Sequence, residues 1–494
     1  MELIIPLDNQ GSTPMYQQIY QYMKQEIRQG NLKAGVRLPS TRVLADHLKV
    51  SRSTTQMAYE QLLSEGYIEA VPCKGYFVSA IEALVEVREQ PAGQFVTQEV
   101  AGQEGFVVDF SPRGIDLDSF PFNTWRKISK NILVDDNKAL FLNGDPQGEY
   151  ALREAIRSYL HSARGVRCSA DQIIVGAGNE YLLMLLSLVL GPNRVIAMEN
   201  PTYKQAYRVF ISQGCQVVPV EMDKHGMDVR RLREAGNPEN RTAAPYGLPE
   251  QEILMKEKEC RLQPDTAYIM PSHQHPMGIV MPVKRRQELL AWAYEEEERY
   301  LIEDDYDSEF RYKGKPIPAL QGMDHGGRVI YIGTFSQSIA PAIRVGFIVL
   351  PMQLLAKYKE KAGFYSSTVS RIDQNILYQF LTEGHYERHL NRMRSVYKGK
   401  HDCLMGELKE FEAKFDIAGE HAGLHVLLTH RKGMREQELE QKAAAAGVKV
   451  YGLSRYFIHP EHNQYPSTVV LGYANLTEEE IREGCRRLKE AWEL

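Results

Sequence analysis

GTFSQSIAPAIRVGF, residues 333–347, lies between two short β-type runs, Val329–Ile332 and Val345–Leu350. Its small and hydroxyl residues, with Arg344 seven places after Gln337, suit the holding of an anionic group at the end of a strand. The same design recurs upstream. In QIIVGAGNEYLLMLLSLVL (172–190) a strand-like run, a glycine turn and an apolar helix follow one another, the order in which helix N-terminal amides cradle a phosphate. RVIAMENPTY (194–203), TAYIMPSHQHPMGIVMP (266–282) and YLIEDDYDSEF (300–310) each place polar groups directly after a strand. Ligands bind at that edge in open α/β sheets. Helical patterns alternate with these strands: Leu152, Ala155, Ile156, Tyr159 and Leu160 share one face, and 283–299 and 352–362 read as connecting helices. An α/β domain with a mostly parallel sheet flanked by helices is expected.

The chain of 494 residues is long enough for roughly three domains. Charged residues at 25% and hydrophobic residues at 43% are ordinary for folded proteins. No apolar run approaches about 18 residues, and MELIIPLDNQ has neither the basic region nor the apolar core of a signal peptide, so a cytoplasmic protein without a membrane partner is expected. The six cysteines (73, 168, 215, 260, 403, 485) are scattered and give no disulfide or zinc framework. His421 and His425 are four apart, but Gly423 between them and the lack of a third ligand favour strand histidines over a metal site.

A net charge of −5 excludes a global attraction to nucleic acid, yet the balance is uneven. Residues 1–80 carry eight Lys/Arg against seven Asp/Glu, and between Lys33 and Arg52 the single acid is Asp46. Tyr16, Ile19, Tyr20, Met23 and Ile27 mark a first helix. A second starts after Ser40 with Val43, Leu44 and Leu48 inward, and a third after Ser51 with Met57, Ala58, Leu62 and Leu63 inward. Two short strands joined by Pro72–Gly75 follow, completing a winged helix-turn-helix pattern. The third helix opens with Ser51-Arg52-Ser53-Thr54-Thr55-Gln56, donors and acceptors suited to a major groove.

GVRLPSTRVLADHLKVSRSTTQMAYEQLLSEGYIEAVPCKGYFV (35–78) resembles the GntR-type DNA-binding domain. That resemblance implies a double-stranded DNA operator as partner. Arg42 and Arg52 would contact backbone or bases, Ser51 would cap the reading helix, Thr54 and Gln56 would lie on its reading face, and Lys74-Gly75 would form the wing tip. The Gln-, Glu- and Gly-containing stretch after residue 80 reads as a linker (81–107).

Beyond it, GDPQGEYALREAI, ENPTY, PSHQHPMG, EDDYDSEFRY, GTFSQS and RHLNRMRSVY are similar, in order and spacing, to the signatures of fold-type I aminotransferases. A GntR head fused to such a domain is the arrangement of the MocR/GabR-type regulators. The resemblance implies an N-terminal DNA-binding domain (1–80), a large domain (108–384) and a smaller C-terminal α+β domain (385–494). It further implies pyridoxal phosphate (PLP) as cofactor, a homodimer, and a small-molecule effector such as an amine or amino acid. Asp304 would pair with the pyridinium nitrogen. Tyr306 would contact the ring hydroxyl, with His275 or Gln274 on the same side, and Tyr203 would stack on the ring. Gly178, Asn179, Ser336 and Arg344 would bind the phosphate.

The chain departs from that pattern at its anchor. Where the family has GTFSK it has GTFSQ, so Gln337 stands in place of the Schiff-base lysine. An amide nitrogen is neither the nucleophile nor the proton shuttle that transamination needs. A second departure is Val470 in STVVLGYANL, where family members with amino-acid effectors commonly carry a carboxylate-binding arginine. A segment near 235–263 is longer than this region usually needs. Three readings follow: non-covalent sensing of PLP or a PLP-amine adduct, a PLP-independent effector or dimerisation scaffold, and an aminotransferase with an unusual base.

Overall fold

A computed structural model describes residues 5–8, 13–80, 105–235, 263–311, 317–419 and 423–494; the long segment near 235–263 and His421 fall almost wholly or wholly outside them. The chain divides into two compact units, Met1–Gly102 and Gln103–Leu494.

In the first unit, α1 (Met15–Arg28), α2 (Thr41–Leu48) and α3 (Arg52–Ser64) precede an antiparallel hairpin of β1 (Ile68–Val71) and β2 (Gly75–Val78). Ser40 and Ser51 cap α2 and α3, their hydroxyls accepting from the amides of Val43 and Thr54. Ile19, Met23, Leu44, Ala58, Tyr59 and Leu62 close the core with Ile68 and Val78 of the hairpin. Two buried polar contacts lock α3 against the approach to α2: Thr55 Oγ1 donates to Thr41 O at 2.8 Å and Tyr59 OH to Pro39 O at 2.9 Å. Val43 and Met57, expected inside, are 59% and 48% exposed. The inward stripes run Thr41, Leu44, Ala45 and Thr55, Ala58, Tyr59, Leu62, each at helical spacing, and both residues fall off them.

The second unit is built on an eight-stranded sheet of order β4-β11-β10-β9-β8-β5-β6-β7. These are β4 (Ile173–Gly176), β5 (Val195–Asn200), β6 (Gln216–Asp223), β7 (Gly226–Met227), β8 (Thr266–Ile269), β9 (Tyr300–Asp305), β10 (Val329–Thr334) and β11 (Gly346–Val349). The run β10-β9-β8-β5-β6 is parallel, whereas β11 is antiparallel to both β10 and β4, because the loop 335–345 returns the chain directly beside the strand it left. Both faces are covered, so most strand residues are apolar. Ile173 and Val175 pack on one side with Leu152 and Ile156 of the helix Tyr150–Arg164, and Ile174 on the other with Leu182 and Leu186 of the helix Asn179–Leu190.

The C-terminal part forms a second, antiparallel sheet of order β12-β13-β16-β15, from Phe415–Ala418, His425–His430, Thr468–Gly472 and Tyr451–Gly452. Beside it β14 (Val448–Lys449) pairs in parallel with β3 (Val108–Asp109). Val108 and Phe110 share a core with Val426, Leu471, Leu404 and Ile481. Among the described residues no helix is long and apolar enough to cross a membrane.

The segment after β3 lies directly on β16. Gly472 N donates to Phe110 O at 2.9 Å, and a Cβ on Gly472 would stand 2.1 Å from Ser111 O. Gly472→Ala should therefore cost roughly 1–3 kcal/mol through overpacking against backbone. Thermal unfolding of the full chain measures it; an unchanged melting temperature would mean that the segment moves aside freely.

Candidate functional site

At the C-terminal ends of the parallel strands is a cavity of about 340 Å³. Strand alternation on β9 decides what it receives. Glu303 turns away and accepts the amides of Leu320 and Gln321 at 2.7 and 2.8 Å. Asp305 also turns away, bound by Arg164 Nε at 2.8 Å and by the Tyr331 hydroxyl. Asp304, between them, lines the cavity. Its Oδ2 accepts from Asn179 Nδ2 at 2.9 Å and from the Tyr268 hydroxyl. Burial pushes its carboxyl up to about 6 despite both hydrogen bonds. Asn179 Oδ1 is buried without a hydrogen-bond partner, an acceptor left over beside the carboxylate.

Tyr306 lines the same cavity, and its hydroxyl lies 3.0 Å from His273 Nδ1, which is also 2.8 Å from Asp307 Oδ2. His273 and Asp307 were not singled out from the sequence. The available signal was the PSHQHP run, whose two histidines differ in their surroundings. His273 is admitted by Gly423, at φ +79°, where a Cβ would stand 2.0 Å from the imidazole Cε1. His275 lines the cavity, with burial, then His425 and His273, holding its imidazole well below the usual range. Gln274 does not line it. Its amide braces the loop instead, donating to Pro201 O at 2.8 Å and accepting from Met277 N at 3.0 Å.

The loop 335–345 delivers Ser336, Gln337 and Arg344 to the cavity. Arg344 adopts φ +52°, and its guanidinium fills the space where a Cβ on Gly178 would stand, 2.5 Å from Nη2. Arg344 is already paired: its Nη2 donates to Glu180 Oε2 at 2.7 Å, and the other oxygen of Glu180 accepts from Tyr203 OH at 3.0 Å. Burial raises the Glu180 carboxyl, but Arg344, a backbone amide at the helix start and Tyr203 together outweigh it and leave the group below its ordinary range. A carboxylate thus stands at the N-terminus of the helix Asn179–Leu190, within the expected anion cradle. The side chain of Gln337 makes no hydrogen bond among the described residues. The donor set fits PLP at three points: a buried carboxylate for a ring nitrogen, a Tyr306–His273 pair for a phenolic oxygen, and a glycine cradle with a guanidinium for a phosphate.

Residues 116–488 match the family of class I and II aminotransferases, and residues 15–78 match the gntR family of bacterial regulatory proteins. The chain is 30% identical, over 99% of its length and 96% of the relative's, to the probable rhizopine catabolism regulatory protein MocR of Rhizobium meliloti. It belongs to the MocR-type transcriptional regulators. This MocR-type chain is also 37% identical, over 97% of both lengths, to the HTH-type transcriptional regulator YdeL of Bacillus subtilis. Its fold matches the multiple substrate aminotransferase of Thermococcus profundus with a TM-score of 0.66 and 27% identity, over 78% of this chain and 91% of that one. Aminotransferases of this fold normally bind PLP, and GntR-type heads bind DNA operators.

On the head of this MocR-type regulator, Arg42, Ser51, Arg52, Gln56, Lys74 and Gly75 are exposed and Thr54 is half-buried. Ser51 Oγ lies 2.7 Å from Ser53 Oγ and 2.8 Å from Thr54 Oγ1, and Gln56 Nε2 donates to Glu60 Oε1 at 2.9 Å. Arg52 makes no hydrogen bond or ion pair through its side chain among the described residues, so a groove would meet an uncommitted guanidinium.

Asp304 carries a pH signature. Its folded pKa lies above the unfolded 3.8, so its ionisation penalty is complete above pH 6 and disappears as pH falls through the interval between the two values. Asp304→Asn should accordingly raise the stability of ligand-free protein at pH 8, by roughly 3 kcal/mol at most, with the gain vanishing near pH 4. Paired unfolding curves at the two pH values test this, and a gain independent of pH would refute it.

Proposed function

We propose that this regulator senses PLP, or an adduct of PLP with an amine or amino acid, held without a covalent bond. Occupancy would set how a homodimer's two winged-helix heads engage an operator, through different affinities for two arrangements. The observation that carries the reading is Asp304: a carboxylate buried at the cavity wall beside the orphaned Asn179 Oδ1, costly unless a cationic or donor ligand meets it. When bound, PLP supplies an electrophilic carbonyl conjugated to a pyridinium ring. Asp304 would hold the proton at the ring nitrogen, and that charge would draw its own pKa back down. Tyr306 and His273 would share a proton toward the phenolic oxygen, Tyr203 would cover a ring face, and Gly178, Ser336 and Arg344 would take the phosphate. Gln337 offers no nucleophile at the centre, which turns the site from catalysis to reversible occupancy.

A second reading, an effector without a phosphate, draws on Glu180. Its carboxylate already satisfies Arg344, and a phosphate would have to displace it. Titration of the purified chain with PLP and with pyridoxal separates the two. Saturable PLP binding that leaves no borohydride-stable attachment supports the proposal, and a reducible attachment should appear in Gln337→Lys. Absence of PLP binding would sink it. Glu180→Gln should free Arg344 and tighten PLP about tenfold, with little change for pyridoxal.

On the head, Arg52→Ala should lower affinity for a fragment selected by the unaltered protein by about 1–3 kcal/mol and relax its sequence preference. Lys74→Ala should instead weaken all fragments alike and reduce the salt slope by about one. Mobility-shift titrations at two salt concentrations measure both, and an Arg52→Ala protein with full specificity would disprove the assignment of the reading helix.

A further inference from the structure

The charged groups around the cavity are unevenly matched. Glu180 holds Arg344, Asp307 holds His273, and Asp304 accepts from Asn179 and Tyr268. Arg113 also lines the cavity, is exposed, and has no acidic or hydrogen-bonding partner among the described residues. Its guanidinium lies near enough to His275, Tyr203 and Tyr456 for its charge to act on all three.

The backbone that carries Arg113 is fixed. Gly472 admits Ser111 and Pro112 onto β16, and Gly114 lies against Asn475, where a Cβ would stand 2.3 Å from Oδ1. Asn475 Nδ2 in turn donates to Asp109 O at 3.2 Å. β16 itself offers no cation here. Val470, two residues before Gly472 and therefore on the same strand face, is buried among Leu427, Leu453 and Phe457. A rigid base with a free, planar five-donor head at a cavity mouth is the arrangement that recognises a carboxylate in bidentate fashion.

We propose that Arg113 is the carboxylate anchor of the ligand site, so that the ligand's amine component is an amino acid rather than a simple amine. This rests on the PLP-adduct reading above. In it, the phosphate end meets Arg344 and the amino-acid end meets Arg113.

The test compares two probes that differ by one carboxylate, N-(5′-phosphopyridoxyl)-L-alanine and N-(5′-phosphopyridoxyl)ethylamine, by calorimetric titration of the full chain. The alanine probe should bind about tenfold tighter, the worth of one charge-assisted contact at an exposed site. Arg113→Gln should bring the two affinities together, and Arg113→Lys should restore part of the difference. Salt should shrink the preference of the unaltered protein but not that of Arg113→Gln. Equal binding of the probes by the unaltered protein would overturn the carboxylate anchor alone. So would an Arg113→Gln variant weakened equally for both, which would make Arg113 a phosphate contact. Failure of both probes to bind would remove the PLP-adduct reading and this inference with it.

Discussion

The aminotransferase-like domain is organised around a single buried carboxylate that faces the cavity. Asp304 can face it because β9 alternates: its two acidic neighbours turn to the opposite face, where two backbone amides hold Glu303, and Arg164 and Tyr331 hold one oxygen of Asp305. Three consecutive acids on a buried strand would otherwise repel one another and suffer desolvation together. The arrangement divides them by function. Glu303 and Asp305 tie the sheet to the surrounding loops and to the helix Tyr150–Arg164, while Asp304 is left with two donors and an open side. The buried Tyr268 and the turn at Gly178 that places Asn179 both serve that open side.

Around it the site is asymmetric. Where the family's covalent anchor would stand there is an amide, and where its anion cradle would stand there is a guanidinium already holding a carboxylate. Both features favour exchange over retention. On the proposed reading, a ligand that cannot be captured covalently, and that must compete with an internal anion, would be held only while its concentration persists. That is a property a regulator needs and a catalyst does not.

Much of this was legible in the sequence because the chemistry follows the strands. The strand-then-polar-loop pattern located the sheet, and GTFSQS brought Ser336 and Gln337 to the cavity wall. The winged helix was legible from its caps and its periodicity, although Val43 and Met57 showed that a hydrophobic residue beside an apolar stripe need not be in it. Loop interiors were less legible. Nothing in PSHQHP says which polar side chain turns inward, and the answer depends on Gly423, some 150 residues away, leaving room for His273 and not on any local pattern. Glu180 was equally hidden, since its role exists only once Arg344 folds back over Gly178. Arg113 belongs to a segment whose position is set by Gly472, a contact between distant parts of the chain that no periodicity records.

The parallel pairing of β3 with β14 has a mechanical meaning. Val107 and Val108 donate to Gly447 O, and Phe110 to Lys449 O, so the chain enters the aminotransferase-like domain along the edge of its C-terminal part and not on the large sheet. Val108 and Phe110 are thus fastened to the sheet that carries His425, which lines the cavity. A tilt of that sheet would therefore carry Val107 and Val108 with it, with no relay of side chains through the large sheet.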